Sequence, residues 1–386
     1  MTPARLIMSV FFIQAVGLAN FFPRIPDLQA RFGVETGELS LGLLGSTVAT
    51  LFALPFAGPI IERFGPRRVL MVCLALYMVA LAGLGWVQNV PMLFAALFLV
   101  GLPYPIVDVA MNVEADREER VLGRRIMSTC HGWWSLGAVA GGLTAAAFAA
   151  LNVDPGWHLM IVAALALPVG ILVTRSLPER AAAPTEAVRR RVFTLPSLGI
   201  LGLCLFLFGS LMIEVTARNW SGIFVREVTG GAPAFAGITY GAFALFMAGG
   251  RLAGDRLVDR FGPVALARIC YAVILAGITL VVFAATPAMV VAGFAAAGFG
   301  VSVAFPLSVT AAVARGDQPA AVNIAALQLV GITAFLSGPP LIGYIAEATS
   351  LRVGLAILLP VIAVSAFMAR ELAPTPNVAP LARQAA

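Results

Sequence analysis

The sequence contains no lysine, only two histidines and only four cysteines in 386 residues. Charge of either sign is scarce as well: charged residues make up 11% of the chain, against ~25% in an average soluble protein. Each shortage excludes something. Cys73, Cys130, Cys204 and Cys270 stand too far apart in sequence to read as a disulfide framework or a paired-cysteine metal motif. There is no H-E-x-x-H helix, no G-x-S-x-G elbow and no phosphate-binding P-loop, so no enzyme constellation assembles and no ATP-driven pump is encoded. We expect neither metal nor cofactor. The net charge of +6 comes with no soluble basic face, which argues against a nucleic-acid partner.

Apolar residues are what the chain has in excess. The hydrophobic set makes up 60% of it and the mean hydropathy is +0.95. A soluble protein of this length could not cover itself with the polar surface available. Uninterrupted runs such as Val69 to Trp86 exclude the ten-residue alternation of an outer-membrane barrel. The expected fold is therefore an all-α integral membrane protein, with the lipid bilayer as its surroundings. Spans of about 20 residues are placed near 5–22, 39–61, 69–87, 91–113, 126–150, 157–174, 196–216, 234–254, 264–284, 287–312, 320–346 and 351–370. No small-residue cleavage site follows the first of these twelve, so it is read as a retained helix and not as a secretory signal.

All basic residues are arginine, and their distribution sets an orientation. With the N-terminus inside, twenty arginines fall on the cytoplasmic side and five outside (Arg24, Arg31, Arg218, Arg226 and Arg352). This count assigns Arg251 to the cytoplasmic set. An even number of spans returns the C-terminus to the cytoplasm.

The chain also repeats itself. Glu62-Arg63-Phe64-Gly65-Pro66 recurs 197 residues later as Asp259-Arg260-Phe261-Gly262-Pro263, and Gly101 precedes Gly298 by the same 197. This divides the chain into a six-helix bundle at 1–174, a basic cytoplasmic linker at 175–195 and a second six-helix bundle at 196–386 with a short cytoplasmic tail.

Gly58-x-x-x-Glu62-Arg63-x-Gly65-x-Arg67-Arg68 resembles the loop 2–3 signature of the major facilitator superfamily, and the second, degenerate copy includes Asp255, Asp259, Arg260 and Gly262. Asn20-Phe-Phe-Pro-Arg-Ile-Pro26, Asp108 to Asn112 with His131-Gly-x-x-Ser-Leu-Gly137, and Glu214-x-x-x-x-Asn219-Trp220 are similar to the bacterial fucose permease group, which more often has Asp where this chain has Asn219. The resemblance implies two six-helix bundles rocking around a central site, in a bacterial inner membrane, as a monomer. It further implies that spans one, four, seven and ten line the cavity.

Several residues are candidates on chemical grounds. Asp108 is a carboxylate inside span four, costly there and a functional hypothesis by default. Asn112 lies one turn on, and Gly101, Pro103 and Pro105 interrupt the helix just before it. His131 falls at a similar depth in span five, where it could pair with Asp108 and titrate as a unit. Asp108, His131 and Glu214 are the proton-coupling candidates, although Glu214 and Arg218, four apart, could simply neutralise each other. Gln14, Asn20, Asn112, Trp134, Asn219, Trp220, Tyr240, Ser302 and Gln328 are the substrate-binding candidates, since an indole with amides suits a sugar-like ring; the same types also join helices. Gly58, Glu62, Arg63, Gly65, Arg67 and Arg68, with Asp255, Asp259, Arg260 and Gly262, are expected to gate by pairing across the two bundles. Glu114 is expected at the cytoplasmic surface and His158 at the outer interface beside Trp157. The expected activity is secondary transport of a small polar solute coupled to protons. Export of amphipathic compounds remains the alternative, although span five lacks the Gly-Pro pair associated with drug–proton antiporters of the superfamily.

Overall fold

The computed structural model of the protein describes residues 2–124, 126–179, 197–315 and 320–373. Most of the expected linker, including Arg180 and Arg189 to Arg191, lies outside the described residues, as do Arg125 and Arg383. Among the described residues, eleven helices are long and apolar enough to cross a membrane: α1 (Pro3–Phe32), α2 (Thr36–Phe64), α3 (Pro66–Leu84), α4 (Val90–Leu122), α5 (Met127–Ala150), α6 (Pro155–Arg175), α7 (Leu201–Asn219), α9 (Pro263–Val282), α10 (Pro287–Ala314), α11 (Val322–Ala348) and α12 (Leu351–Leu372). The twelfth, α8 (Ala234–Phe261), has the length but not the apolarity. Its glycines, Thr239, Tyr240 and the acids and arginines of its last turns lower its hydropathy, and it packs between α5 and α10. The fold is all-α, in two six-helix bundles.

The repeat is visible in the backbone. Phe64 and Phe261 each end a helix, Gly65 (φ +77°) and Gly262 (φ +74°) make the turn, and Pro66 and Pro263 start the next helix. Positive φ at those two positions is what glycine provides cheaply, and proline fits the first helical turn because its missing N–H has no partner there. Arg63 lies 5.3 Å from the Phe64 ring centroid, and Arg260 lies 5.3 Å from that of Phe261. Deeper in, the Tyr77 hydroxyl donates to the Gln14 carbonyl at 3.0 Å, and Tyr271 repeats the bond in the second bundle by donating to the Phe206 carbonyl.

Among the described residues, α2 is interrupted at Leu44 and α12 at Ile357, and four further helices, two in each bundle, break near the centre or toward the end that carries Asp27. α1 passes through a 3₁₀ turn at Phe22–Arg24, and α7 breaks at Trp220 before the short helix Ser221–Glu227. α4 breaks after Gly101, where Pro103 and Pro105 deny the ladder its N–H groups, and α10 breaks at Ser302 and Val303. Such breaks are tolerated at membrane depth only within protein or along a cavity.

Two expectations need correction here. α4 continues to Leu122, which leaves Glu114 2% exposed and Glu118 3% exposed inside the bundle and not in a surface loop. His158 faces inward, fully buried, with its ring stacked on Phe148. Only Trp157 behaves as an interfacial residue, exposed and edge-on to Trp86 at 5.3 Å.

Candidate functional site

A cavity of about 850 Å³ lies between α5 on one side and α8 and α10 on the other. It runs from Arg251 and Ser302, deep in α8 and α10, past His131 in the second turn of α5, to the helix ends at Pro263, Arg315 and Ala373. Those ends belong to the arginine-rich end of the molecule, which carries the Gly65 and Gly262 turns. The walls therefore differ from the expected set: α5, α8 and α10 form them with the end of α12, while α1, α4 and α7 meet in an enclosed polar cluster beyond.

That cluster is built by side chains the helix breaks bring together. Trp134 Nε1 donates to Gln14 Oε1 at 2.7 Å, joining α5 to α1. The Leu18 N–H donates to the Tyr77 hydroxyl at 2.7 Å, and a Cβ at Gly17 would stand 2.7 Å from Cζ of that ring, so glycine is what admits it. Tyr77 meets Tyr104 edge-on at 5.7 Å, and Phe22 meets Tyr240 at 5.5 Å. Tyr104 lies within electrostatic reach of Asp108 in its own bundle and of Arg218 and Tyr240 in the other. Arg218 pairs with Glu214 and places its guanidinium 5.1 Å from the Phe335 centroid and 5.8 Å from that of Phe22. Arg251, at the inner end of the cavity, lies within electrostatic reach of Glu214 and Arg218, so the cavity and the cluster, none of whose side chains lines the cavity, stand end to end as a polar column.

The structure distributes the remaining candidates unevenly. Asp108 is half-buried, and its carbonyl accepts from Asn112 Nδ2 at 2.8 Å. No ion pair or hydrogen bond joins Asp108 to His131 among the described residues. His131 lines the cavity instead, edge-on to Phe11 at 5.2 Å and within reach of Arg251. Ser302 lines it too, with its hydroxyl donating to the Phe299 carbonyl at 2.6 Å. Asn20 is taken up elsewhere: Nδ2 donates to the Val16 carbonyl at 2.8 Å and Oδ1 meets His158 Nε2 at 2.9 Å. Trp220 is fully buried and Asn219 nearly so, at the end of α7 away from the cavity, while Gln328 is exposed on α11 and does not line it.

Asp255 and Asp259 line the cavity mouth. Arg67 and Arg68 do not reach across the bundles. Arg67 donates to the Arg175 carbonyl at 2.6 Å, and Arg68 bonds Glu179 at 3.2 Å, both at the end of α6 in the same half. The opposite end of the molecule is where the halves meet. Asp27 bridges Arg24 (2.6 Å) and Arg226, Thr36 donates to the Gly343 carbonyl at 2.8 Å, and the Gly37 N–H donates to Glu347 at 2.9 Å. A Cβ on Gly237 would stand 2.8 Å from Ala146 Cα, so α5 and α8 touch backbone to backbone there.

Comparison with known proteins places this arrangement. The Major Facilitator Superfamily model matches residues 7–327 and 224–385. The chain belongs to the Major Facilitator Superfamily. An uncharacterized MFS-type transporter of Yersinia pestis is 30% identical over 362 residues, covering 92% of this chain and 93% of the relative. An uncharacterized transporter of Sinorhizobium fredii is 31% identical, covering 91% and 93%. Among solved structures, the nucleoside transporter NupG superposes with a TM-score of 0.75 at 15% identity over 96% of this chain and 99% of its own. A bacterial homologue of the lysosomal transporter Spinster, inward-facing and unoccupied, gives 0.73 at 12% identity, over 96% and 97%. At those identities the likeness is one of fold. The protein is thus a multi-pass membrane transporter of the superfamily, acting on small molecules.

Tyr104, Arg251, Phe22 and Phe335 escaped the sequence reading. Arg251 carried a signal, because it falls inside a predicted span and its charge there needed a reason. The aromatic residues carried none that separates them from ordinary core.

Proposed function

We propose that the protein is a proton-coupled secondary transporter of a small, sugar-like polar organic solute in a bacterial inner membrane, working as a monomer by alternating access. The observation that supports this reading is the polar column: a cavity open at one end leads to charged and aromatic groups drawn from both bundles, and the opposite end is held shut. With the arginine-rich end in the cytoplasm, and both termini there, the conformation is the inward-open one.

In this reading the solute enters the cavity and reaches Trp134, Gln14, Tyr104 and Tyr240, where a ring can stack and hydroxyls can bond. Asp108 carries the proton, with Glu214 and His131 assisting, and its charge state biases which end opens. The Gly58–Arg68 and Asp255–Gly262 turns approach one another when the cytoplasmic end closes. Arg67 and Arg68 then exchange partners at the end of α6 for partners across the junction.

Transport by purified protein in proteoliposomes tests this. With labelled hexoses, polyols and nucleosides, the expected result is accumulation driven by an inward proton gradient. Asp108→Asn should keep solute exchange at equilibrium while losing accumulation. Undiminished proton-driven accumulation in Asp108→Asn would remove Asp108 from the coupling, and transport of lipophilic cations alone would replace the polar-solute reading.

A further inference from the structure

The cavity holds two guanidiniums, and they are treated differently. Arg315 bonds Glu371 at 2.5 Å. Arg251 makes no ion pair and no hydrogen bond among the described residues. The guanidiniums of Arg24 and Arg218 are answered, by Asp27 and by Glu214. Asp255, one turn further along α8, lines the same cavity yet stands outside ion-pair distance of Arg251. Arg251 is ten residues from Phe261, where α8 ends, which at 1.5 Å per residue is about 15 Å from the helix end. An arginine at such a depth costs about 2.5–3.5 kcal/mol on insertion scales unless a counter-charge or water reaches it.

What reaches Arg251 comes through the cavity. A guanidinium presents a planar fork of donors that matches a carboxylate with two parallel bonds. Beside it, the Ser302 and Ser135 hydroxyls spend their protons on the Phe299 carbonyl (2.6 Å) and the His131 carbonyl (3.1 Å), which leaves their oxygens to accept from solute hydroxyls. Asp255 and Asp259 line the same cavity nearer its mouth, so with Arg315 paired to Glu371 the lining carries a net negative charge, which disfavours a phosphate dianion and leaves the Arg251 fork as the place for a single carboxylate. The volume, about 850 Å³, is within the range of small-molecule sites.

We propose that Arg251 anchors the carboxylate of the transported solute, and that the substrate class is a small hydroxylated monocarboxylic acid of the sugar-acid type. This inference rests on the polar-solute transport reading and sharpens it. The test is a melting-temperature and counterflow screen of the whole protein with matched pairs: glucuronate and glucose, galacturonate and galactose, gluconate and sorbitol, quinate and inositol. Glucose 1-phosphate and tetraphenylphosphonium complete the panel.

The expected result is stabilisation and exchange with at least one acid and less with its neutral partner. Arg251→Gln should weaken that acid about 30-fold or more, the loss typical when one partner of an enclosed charge pair is removed. Arg251→Lys should restore part of it, and the ligand-free melting temperature of both variants should match the parent. Neutral sugars acting as well as their acids, in parent and Arg251→Gln alike, would overturn the inference and leave the polar-solute reading standing. Preference for the phosphate ester would overturn the monocarboxylate. A response to tetraphenylphosphonium alone, or to nothing in the panel, would overturn both.

Discussion

At the end of the bundle that carries Asp27, Thr36 and Arg226, the two halves hold each other through side chains; at the end that carries Gly65 and Gly262, every ion pair among the described residues stays within one half. The chemistry differs along with the direction. Asp27 has 20% of its side chain exposed and binds two guanidiniums, one of them 4% exposed, so the bridge is shielded from water. Arg68 and Glu179 at the other end are 69% and 66% exposed. A shielded, charge-assisted bridge resists separation more than a solvated pair does. One repeat has thus produced a clasped end and an open end, and under the proposed alternating access the balance between conformations would depend on what the clasp is worth against pairs formed when the open end closes.

The strongest way to break that contrast is Asp27→Asn. The amide cannot serve two guanidiniums, and Arg24 would keep only the Val153 carbonyl at 2.7 Å and the His158 ring at 3.4 Å. Losing hydrogen bonds to charged groups costs about 2 kcal/mol, so amide exchange in residues 25–32 and 221–227 should speed up by roughly 30-fold. Exchange in 66–70, at the open end, should not change. Equal acceleration at both ends would mean that Asp27 stabilises the whole fold and is not a clasp.

Much of this was legible before any coordinates. The Glu62–Pro66 and Asp259–Pro263 repeat fixes where two turns fall, because glycine at positive φ followed by proline leaves few alternatives. Gly101, Pro103 and Pro105 gave away the break in α4, since the two prolines offer no N–H to the helix ladder. The site was less legible. Asp108 and His131 read as neighbours in depth when α4 is expected to end near residue 113, but α4 runs on to Leu122, which leaves Asp108 fourteen residues from that end and His131 only four from the start of α5, and they face different neighbours. Asn20 looked available until folding placed His158, 138 residues away, against it. Glu114 reads in the sequence as one of the loop charges around Asp116, whereas α4 runs on past it and turns Glu114 and Glu118 inward while the Asp116 side chain stays half exposed. Side chains from distant helices decide such matters, and a single span contains no record of them.

A smaller effect comes from a pair of like charges across the clasped end. Burial raises the pKa of Glu227 first and the Glu35 carboxylate raises it further, against the lowering by Arg226 and the Gln29 side chain. Ionised Glu227 therefore works against closure, and the closed end takes up a proton more readily than an open one would. The cost is fully present above the raised pKa and is relieved as pH falls through it. The clasped end should tighten on acidification through the carboxylate range, read as slower exchange in 221–227 after correction for intrinsic rates. Glu227→Gln should be tight already at neutral pH and lose the dependence. If the variant keeps it, another group is responsible.

The smallest change is expected where the ion pairs look most numerous. Glu179 meets both Arg67 (3.6 Å) and Arg68 (3.2 Å), so a count of contacts would make it a major support of the arginine-rich end. Arg68 and Glu179 stand largely in solvent and Arg67 is about a third exposed (32%), and such pairs contribute about 0.2–1 kcal/mol. Glu179→Ala should move the melting temperature by no more than a degree or two, and 0.5 M salt should erase the difference by screening. It should leave exchange at the clasped end untouched. A destabilisation as large as that of Asp27→Asn would overturn the contrast between the ends, because it would mean that an exposed pair within one half holds this conformation as firmly as a shielded bridge between two.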